Sequence, residues 1–245
     1  MPRKQQTEDI GVYHLGETPV RLQRKNVRHL RLRVTDRGDF FLSIPRRAPL
    51  ATAREFLEEQ RDWVENQRHR LRAKHANAPR FETGEEIAWW GRGLRLEVEE
   101  VPSPGARNSC GAEIRGQVLF LRVAPNATLA QRQRLVDCLR RESLETRLAA
   151  LLPRWAGKFG ITNVGRVRIR RMKTRWGSCN PRTRALTFNL ELSTLDPKFL
   201  EYVVAHELAH YFHSGHGADF HALLEARLPG ERELYRRLNA NKVGF

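Results

Sequence analysis

The sequence predicts an α+β protein, with a first half rich in strands and a second half in which helices and short strands mix. Three observations carry this reading. Through the N-terminal third, apolar and polar residues alternate with a period of two, the pattern of half-buried strands. From Thr128 the apolar residues shift to spacings of three and four, the period of a helix. Around residues 197–212 the sequence is apolar on nearly every side, which marks a helix buried all round. A division near residue 125 therefore separates a β-rich region with one helix, residues 1–125, from a second region, residues 126–245.

Taken in order, the first strands are VRLQ at 20–23, HLRLRV at 29–34 and DFFLSI at 39–44, with Arg37-Gly38 in a turn. Thr52-Ala53-Arg54-Glu55 reads as a capping box opening a helix through Phe56, Val64 and Leu71. IAWW, LRLEVEE and VLFLRV form a second strand group, separated by turns such as PSPG at 102–105. Leu135, Val136, Leu139, Leu144, Leu148, Leu151 and Leu152 then trace a helix that Pro153 and Gly157 are expected to interrupt. Strands return at VRIRRM, 167–172, and RALTFNLEL, 184–192. Asp196-Pro197 supplies an N-cap and a first-turn proline for the next helix, and a last amphipathic helix runs from about Ala218 to Leu238, broken near Pro229-Gly230. No internal repeat is visible.

Composition narrows the classes of function. With 40% apolar and 29% charged residues the chain is globular rather than disordered. No uncharged apolar run approaches the roughly 20 residues needed to cross a bilayer, and MPRKQQTEDI lacks the apolar core of a secretory signal. No membrane partner and a cytoplasmic location are the expectations. Cys110, Cys138 and Cys179 are odd in number and show no C-x-x-C spacing, which argues for free, buried thiols over a disulfide framework or a cysteine zinc knuckle. The net charge is +16, with 37 arginines against 7 lysines. It fits an anionic partner and equally an arginine-rich solvated surface. Its distribution is uneven: Arg166, Arg168, Arg170, Arg171, Lys173, Arg175, Arg182 and Arg184 follow one another with no acidic residue between Ile161 and Leu190.

Five of the nine histidines fall in VVAHELAHYFHSGHGADFHALL, residues 203–224. Residues four apart share a helix face, so His206 and His210 can aim two imidazoles at one point. Glu207 sits about 100° round the axis, close enough to serve a metal-bound water without being a ligand. This is the content of H-E-x-x-H: two nitrogen ligands and a general base on one turn. Burying these polar groups unpartnered would be costly, and a metal removes much of that cost. A catalytic zinc takes a third protein ligand and leaves one position open. His213, His216, Asp219 and His221 compete for it. His213 is three residues beyond His210, near the Ser214-Gly215 helix stop. His216, in the turn, is favoured. His221 and Asp219 stand behind it, with Asp219 able to accept a second hydrogen bond from a ligand.

Around this stretch, MKTRWGSC at 172–179, the strand RALTFNLEL, YVVAHELAH at 202–210 and the His216/Phe220 spacing resemble the YgjP-like metallopeptidase domain family, related to SprT-like and gluzincin-type zinc metalloproteases. A weaker likeness extends upstream to W-G-R at 90–92. The chain departs from the family pattern at Gly215-His216-Gly217, where the small residues differ and the histidine spacing holds. The resemblance implies a zincin-like metalloprotease core, one Zn2+ held by His206, His210 and His216, and Glu207 as catalytic base. It also implies a strand beside the active helix that accepts extended substrate, for which RALTFNLEL is the candidate.

The resulting expectation is a zinc-dependent hydrolase acting on polypeptide. Arg175 or Tyr211 would steady the oxyanion, Trp176 would anchor the core and Cys179 would be a buried thiol. Two rivals stand beside it. The same site could hydrolyse a nucleoside triphosphate held by the basic segment 166–184, since fold alone does not select a substrate. A nucleic-acid module with structural zinc is the other, although it would have no use for Glu207. For the N-terminal region a lid or substrate-recognition role is the expectation.

Overall fold

The computed structural model describes residues 7–35, 37–76, 78–101 and 110–240. The PSPG turn expected at 102–105 lies outside the described residues. The chain divides into two compact units between Ala78 and Pro79, well before the division expected near residue 125. The reason is packing: the second strand group shares one apolar core with the long helix that follows it.

The first unit is a four-stranded sheet with two helices. Its strands are β1 (Glu8–Leu15), β2 (Thr18–Lys25), β3 (Arg31–Val34) and β4 (Phe40–Pro45), in the order β1-β2-β4-β3. β1 was not marked by the sequence pattern; a register shift between Asp9 and Gly11 breaks its alternation. Leu15, Val20, Leu22, Phe40, Leu42 and Ile44 face a core closed by Ala53, Leu57 and Val64. Those last residues belong to α1 (Leu50–Glu59) and α2 (Arg61–Ala76). The capping box at Thr52 does not form: Pro49 ends the extended segment and the helix begins at Leu50 without a side-chain cap. Thr52 is thereby inside the first turn, and Gln60 divides the single expected helix in two.

The second unit opens with β5 (Glu86–Trp89), β6 (Arg92–Glu100), β7 (Gly111–Arg115) and β8 (Val118–Val123), ordered β5-β6-β8-β7. Both four-stranded sheets join an antiparallel hairpin to an antiparallel third and fourth strand through one parallel pair, β2 with β4 and β6 with β8. The same topology thus occurs twice, although no repeat is legible in the residues.

Helix α3 (Leu129–Phe159) follows, capped by a reciprocal Thr128–Gln131 box. It runs straight past Pro153 and Gly157 instead of being interrupted. Proline removes one helix bond, but Trp155, Ala156 and Phe159 are all buried beyond it, and their burial holds the last turns in place. Three short strands then form a separate sheet: β9 (Val167–Arg170), β10 (Gly177–Asn180) and β11 (Ala185–Asn189), ordered β10-β11-β9. The tail of RALTFNLEL leaves the sheet as a 3-10 turn, Leu190–Thr194.

Asp196 caps α4 (Pro197–Ala209), its carboxylate accepting from the Lys198 amide at 3.0 Å. The chain ends on two further helices, α5 (Ala218–Arg227) and α6 (Glu231–Ala240), broken where expected. None of the described helices is long and apolar enough to cross a membrane.

Candidate active site

Helix α4 forms the floor of the site. Nine of its thirteen residues are buried, among them Phe199, Leu200, Val204, Leu208 and Ala209, so the helix cannot rotate without exposing core. Its start is fixed by Gly91, whose φ of +79° suits glycine and whose added Cβ would lie 2.9 Å from the Asp196 Cα. The helix ends at Ala209 with His210 as its C-cap, earlier than the Ser214-Gly215 stop expected. Tyr211 and Phe212 continue it with tight turn bonds to Leu208 and Ala209, so His206 and His210 keep their one-turn relation.

His206, His210 and His216 each offer a ring nitrogen, and these atoms lie within 4.8 Å of one another. Nε2 of His216 is 3.1 Å from Nε2 of His206. Buried Phe220 stands behind the three rings, its centroid 5.0, 4.8 and 4.9 Å from those of His206, His210 and His216. Their outer nitrogens are held as well: the Tyr202 hydroxyl is 3.2 Å from Nδ1 of His206, and Nδ1 of His210 is 2.9 Å from the His213 carbonyl. A carbonyl only accepts, so that contact requires Nδ1–H on His210 and leaves Nε2 free to offer a lone pair. Burial, and then His210, His216 and His221, lower the His206 pKa to about 3. It is therefore neutral and offers a lone pair. Three converging imidazoles are a donor set that suits a divalent zinc-like ion.

Glu207 is 5% exposed and lies on the same cleft. Burial raises its pKa to about 8, and the nearby Arg175 opposes that rise. Strand β10 runs against it at Gly177, where a Cβ would come 2.8 Å from both Glu207 Cγ and Val203 Cγ1. Cys179, a half-buried thiol on the same strand, has its pKa raised to about 11 by burial and then by Glu207. Cys110 and Cys138 are free, as expected, but exposed rather than buried.

The cleft has a volume of about 740 Å³. Arg175 and His221 line it; Tyr211 does not. The Tyr211 hydroxyl donates instead to the Arg184 carbonyl at 2.6 Å, so it is not the cleft donor expected. Asp219 sits exposed in the first turn of α5, and the hydrogen bonds to the ligand rings come from Tyr202 and His213 instead. His221 pairs through Nδ1 with Glu231 at 2.7 Å, and Glu231 is 1% exposed. The strand RALTFNLEL is also not the edge: β11 lies between β10 and β9, with both sides paired. The edge strand lining the cleft is β10.

Three positioning residues escaped the sequence reading. Tyr202 lies one turn before His206, a spacing that could have flagged it. Gly177 gives way to Glu207. Asn189, fully buried, donates to the Met172 and Arg175 carbonyls at 2.9 and 2.8 Å and so holds the segment leading into β10. Nothing local distinguishes an asparagine that acts in this way.

Residues 28–241 match the family model described as YgjP-like, metallopeptidase domain. No curated protein matches the chain significantly. Among solved structures, the metallopeptidase zymogen of Pyrococcus abyssi abylysin is similar at 24% identity and a TM-score of 0.36, covering 38% of this chain and 93% of that one. The zymogen of Methanocaldococcus jannaschii jannalysin is similar at 20% identity and 0.35, covering 38% of this chain and 95% of its own. The family match, in contrast, runs through most of this chain and includes all of the cleft, and it establishes that the chain belongs to the YgjP-like metallopeptidase domain family.

Proposed function

We propose that this chain is a zinc-dependent peptidase in which His206, His210 and His216 hold one Zn2+ and Glu207 is the general base. One observation carries the reading: the three imidazoles and the Glu207 carboxylate share the floor of a single cleft whose wall is an edge strand. When bound, zinc supplies Lewis acidity and brings the pKa of its water toward about 7. Glu207 accepts a proton from the attacking water and returns it to the leaving amine. Arg175 favours the ionised form of Glu207, the state a base requires, against the burial that raises its pKa to about 8. Tyr202, His213 and Phe220 hold the ligand rings in place. Arg175 is a cleft-lining group able to donate to the developing oxyanion.

An extended polypeptide is the substrate that this wall suits, because the outer edge of β10 offers backbone groups at strand spacing. The nucleoside triphosphate reading is weakened by where the basic segment lies. Arg166, Arg168 and Arg170 are on or beside β9, at the opposite edge of the sheet from β10. Arg171 pairs with Asp137 and Glu191. Among the described residues Arg175 is the one arginine that lines the cleft, too little charge to clamp a triphosphate.

The test is a paired assay of zinc-loaded wild type and Glu207→Gln on an unfolded polypeptide and on nucleoside triphosphates. New N-termini that vanish in the variant, with zinc retained, support a peptidase. Phosphate or pyrophosphate release that vanishes in the variant replaces it with a phosphohydrolase. Zinc binding with no turnover of either substrate rejects both.

A further inference from the structure

The N-terminal unit has one sheet face turned to its helices and one turned away, and the outer face is basic. An acid-free stretch, residues 18–35, supplies its Arg21, Arg31 and Arg33. Sheet pairing brings them together. Val12 pairs with Arg21, Arg21 with Phe41, and Phe41 with Arg33, a row that crosses all four strands. In the next row Arg31 and Gln23 both flank Ser43. Arg21, Arg31 and Arg33 are exposed. Among the described residues, the ion pairs of this unit, Arg61–Glu58 and Arg68–Glu17, draw on α1, α2 and the β1–β2 turn instead. Asp9, at the start of edge strand β1, is the acidic residue of matching orientation, and its carboxylate accepts from the Gly11 amide.

The aromatic ring gives this charge a particular shape. Phe41 lies between two guanidiniums, the Arg33 Cζ 4.7 Å and the Arg21 Cζ 6.0 Å from its centroid. A guanidinium held over a ring by a cation–π contact becomes a planar platform on which a base can stack. Strands stand about 4.8 Å apart, so Arg21 and Arg33 flank the ring with cations roughly 10 Å from each other. A flat platform between cations matches an unpaired base on a phosphodiester chain. A duplex hides its base faces, and the sheet presents no helix or ribbon to enter a groove.

We infer that the outer face of β1-β2-β4-β3 binds single-stranded nucleic acid, with Arg21, Arg31 and Arg33 on phosphates and the Phe41–Arg33 stack beneath a base. This would give the unit a substrate-localising role independent of the hydrolytic cleft.

The test uses the full-length protein and fluorescein-labelled oligo(dT) and oligo(U) of about 20 nucleotides, a length that spans one such face. Binding is read by anisotropy from about 50 to 200 mM salt. Neutralising three or four phosphates predicts a log–log salt slope of about −2 to −3. The exposed double variant Arg21→Gln/Arg33→Gln should weaken binding by on the order of tenfold or more and flatten the slope by about 1.4. Phe41→Leu, which preserves apolar bulk, should weaken binding about tenfold with the slope unchanged. Both variants should match wild type in circular dichroism, and the arginine variant should match it in hydrolytic activity. The ratio of oligo(U) to oligo(dT) affinity identifies the preferred strand. Binding that both variants leave intact, absence of binding, tighter binding of a matched duplex, or binding only to phosphatidylserine vesicles would overturn the inference.

Discussion

Gly177 and Glu207 meet with no space for a side chain between them: a Cβ at 177 would fall 2.8 Å from Glu207 Cγ and closer still to its carboxylate. The contact places the edge strand directly against the Glu207 side chain. It also explains why a glycine precedes the serine and cysteine of this strand.

Gly177→Ala should therefore displace Glu207 while leaving the three histidines in place. The expected result is a fall in kcat/KM of tenfold or more, zinc content unchanged, and a stability loss of about 1–3 kcal/mol for an overpacked core. Zinc analysis, thermal unfolding and peptide hydrolysis on one preparation check it. An unaltered kcat/KM would show that the base tolerates the shift.

Tyr202→Phe removes a hydroxyl 3.2 Å from Nδ1 of His206 and keeps the buried ring. Loss of such a support costs about 10–100-fold in metal affinity. Competition with a chelating indicator measures it. An unchanged dissociation constant would mean that packing against Phe220 orients His206 by itself.

His216 is exposed and lies in the loop between α4 and α5. In the metal-free protein His216→Ala should change stability by no more than about 0.5 kcal/mol, as at other surface positions. With zinc at roughly a hundred times its Kd, wild type should gain about 2.7 kcal/mol and the variant much less. Chelator should erase the difference between them. Equal stabilisation by zinc would remove His216 from the ligand set.

The metal-free protein should lose stability as pH rises from 6.5 to 8. Glu207 has its pKa raised from 4.5 to about 8 by burial, so folding favours its protonated form. That stability is full below the unfolded pKa and is lost as pH climbs through the folded one. His206, lowered from 6.5 to about 3, acts in the opposite sense and is lost as pH falls below 6.5. Between 6.5 and 8 the Glu207 contribution is the one that falls, so Glu207→Gln should remove the decline in Tm that wild type shows. Parallel wild-type and variant curves would place the titration elsewhere.

Much of the catalytic floor was legible because its information is local. His206, Glu207 and His210 lie within five residues, and one helical turn is enough to relate them. The Asp196-Pro197 cap, the Thr128 start of α3 and the break before α6 are legible for the same reason: each depends on residues a few positions apart. His216 could be favoured by its place in a turn, but its approach to His206 required the fold.

Other features were set by partners far along the chain. RALTFNLEL reads as an edge strand only until β10 and β9 are seen to pair on either side of it. Pro153 reads as a helix breaker until the residues beyond it are seen buried against the core. Tyr211 has the chemistry of a cleft donor, yet its hydroxyl is engaged by Arg184, 27 residues away. The doubled sheet topology left no trace in the residues, since different side chains satisfy the same pairing.

By itself the sequence determined the elements whose period and caps fall within one or two turns, and it brought His206, Glu207 and His210 onto one turn of α4. Only the tertiary structure decided which strand borders the cleft, which glycine yields to Glu207, and which arginines face the cleft or the outer sheet. The physical reason is that strand order and burial come from contacts between residues distant in sequence. A local pattern says that a side is apolar or charged, whereas those contacts say what it faces.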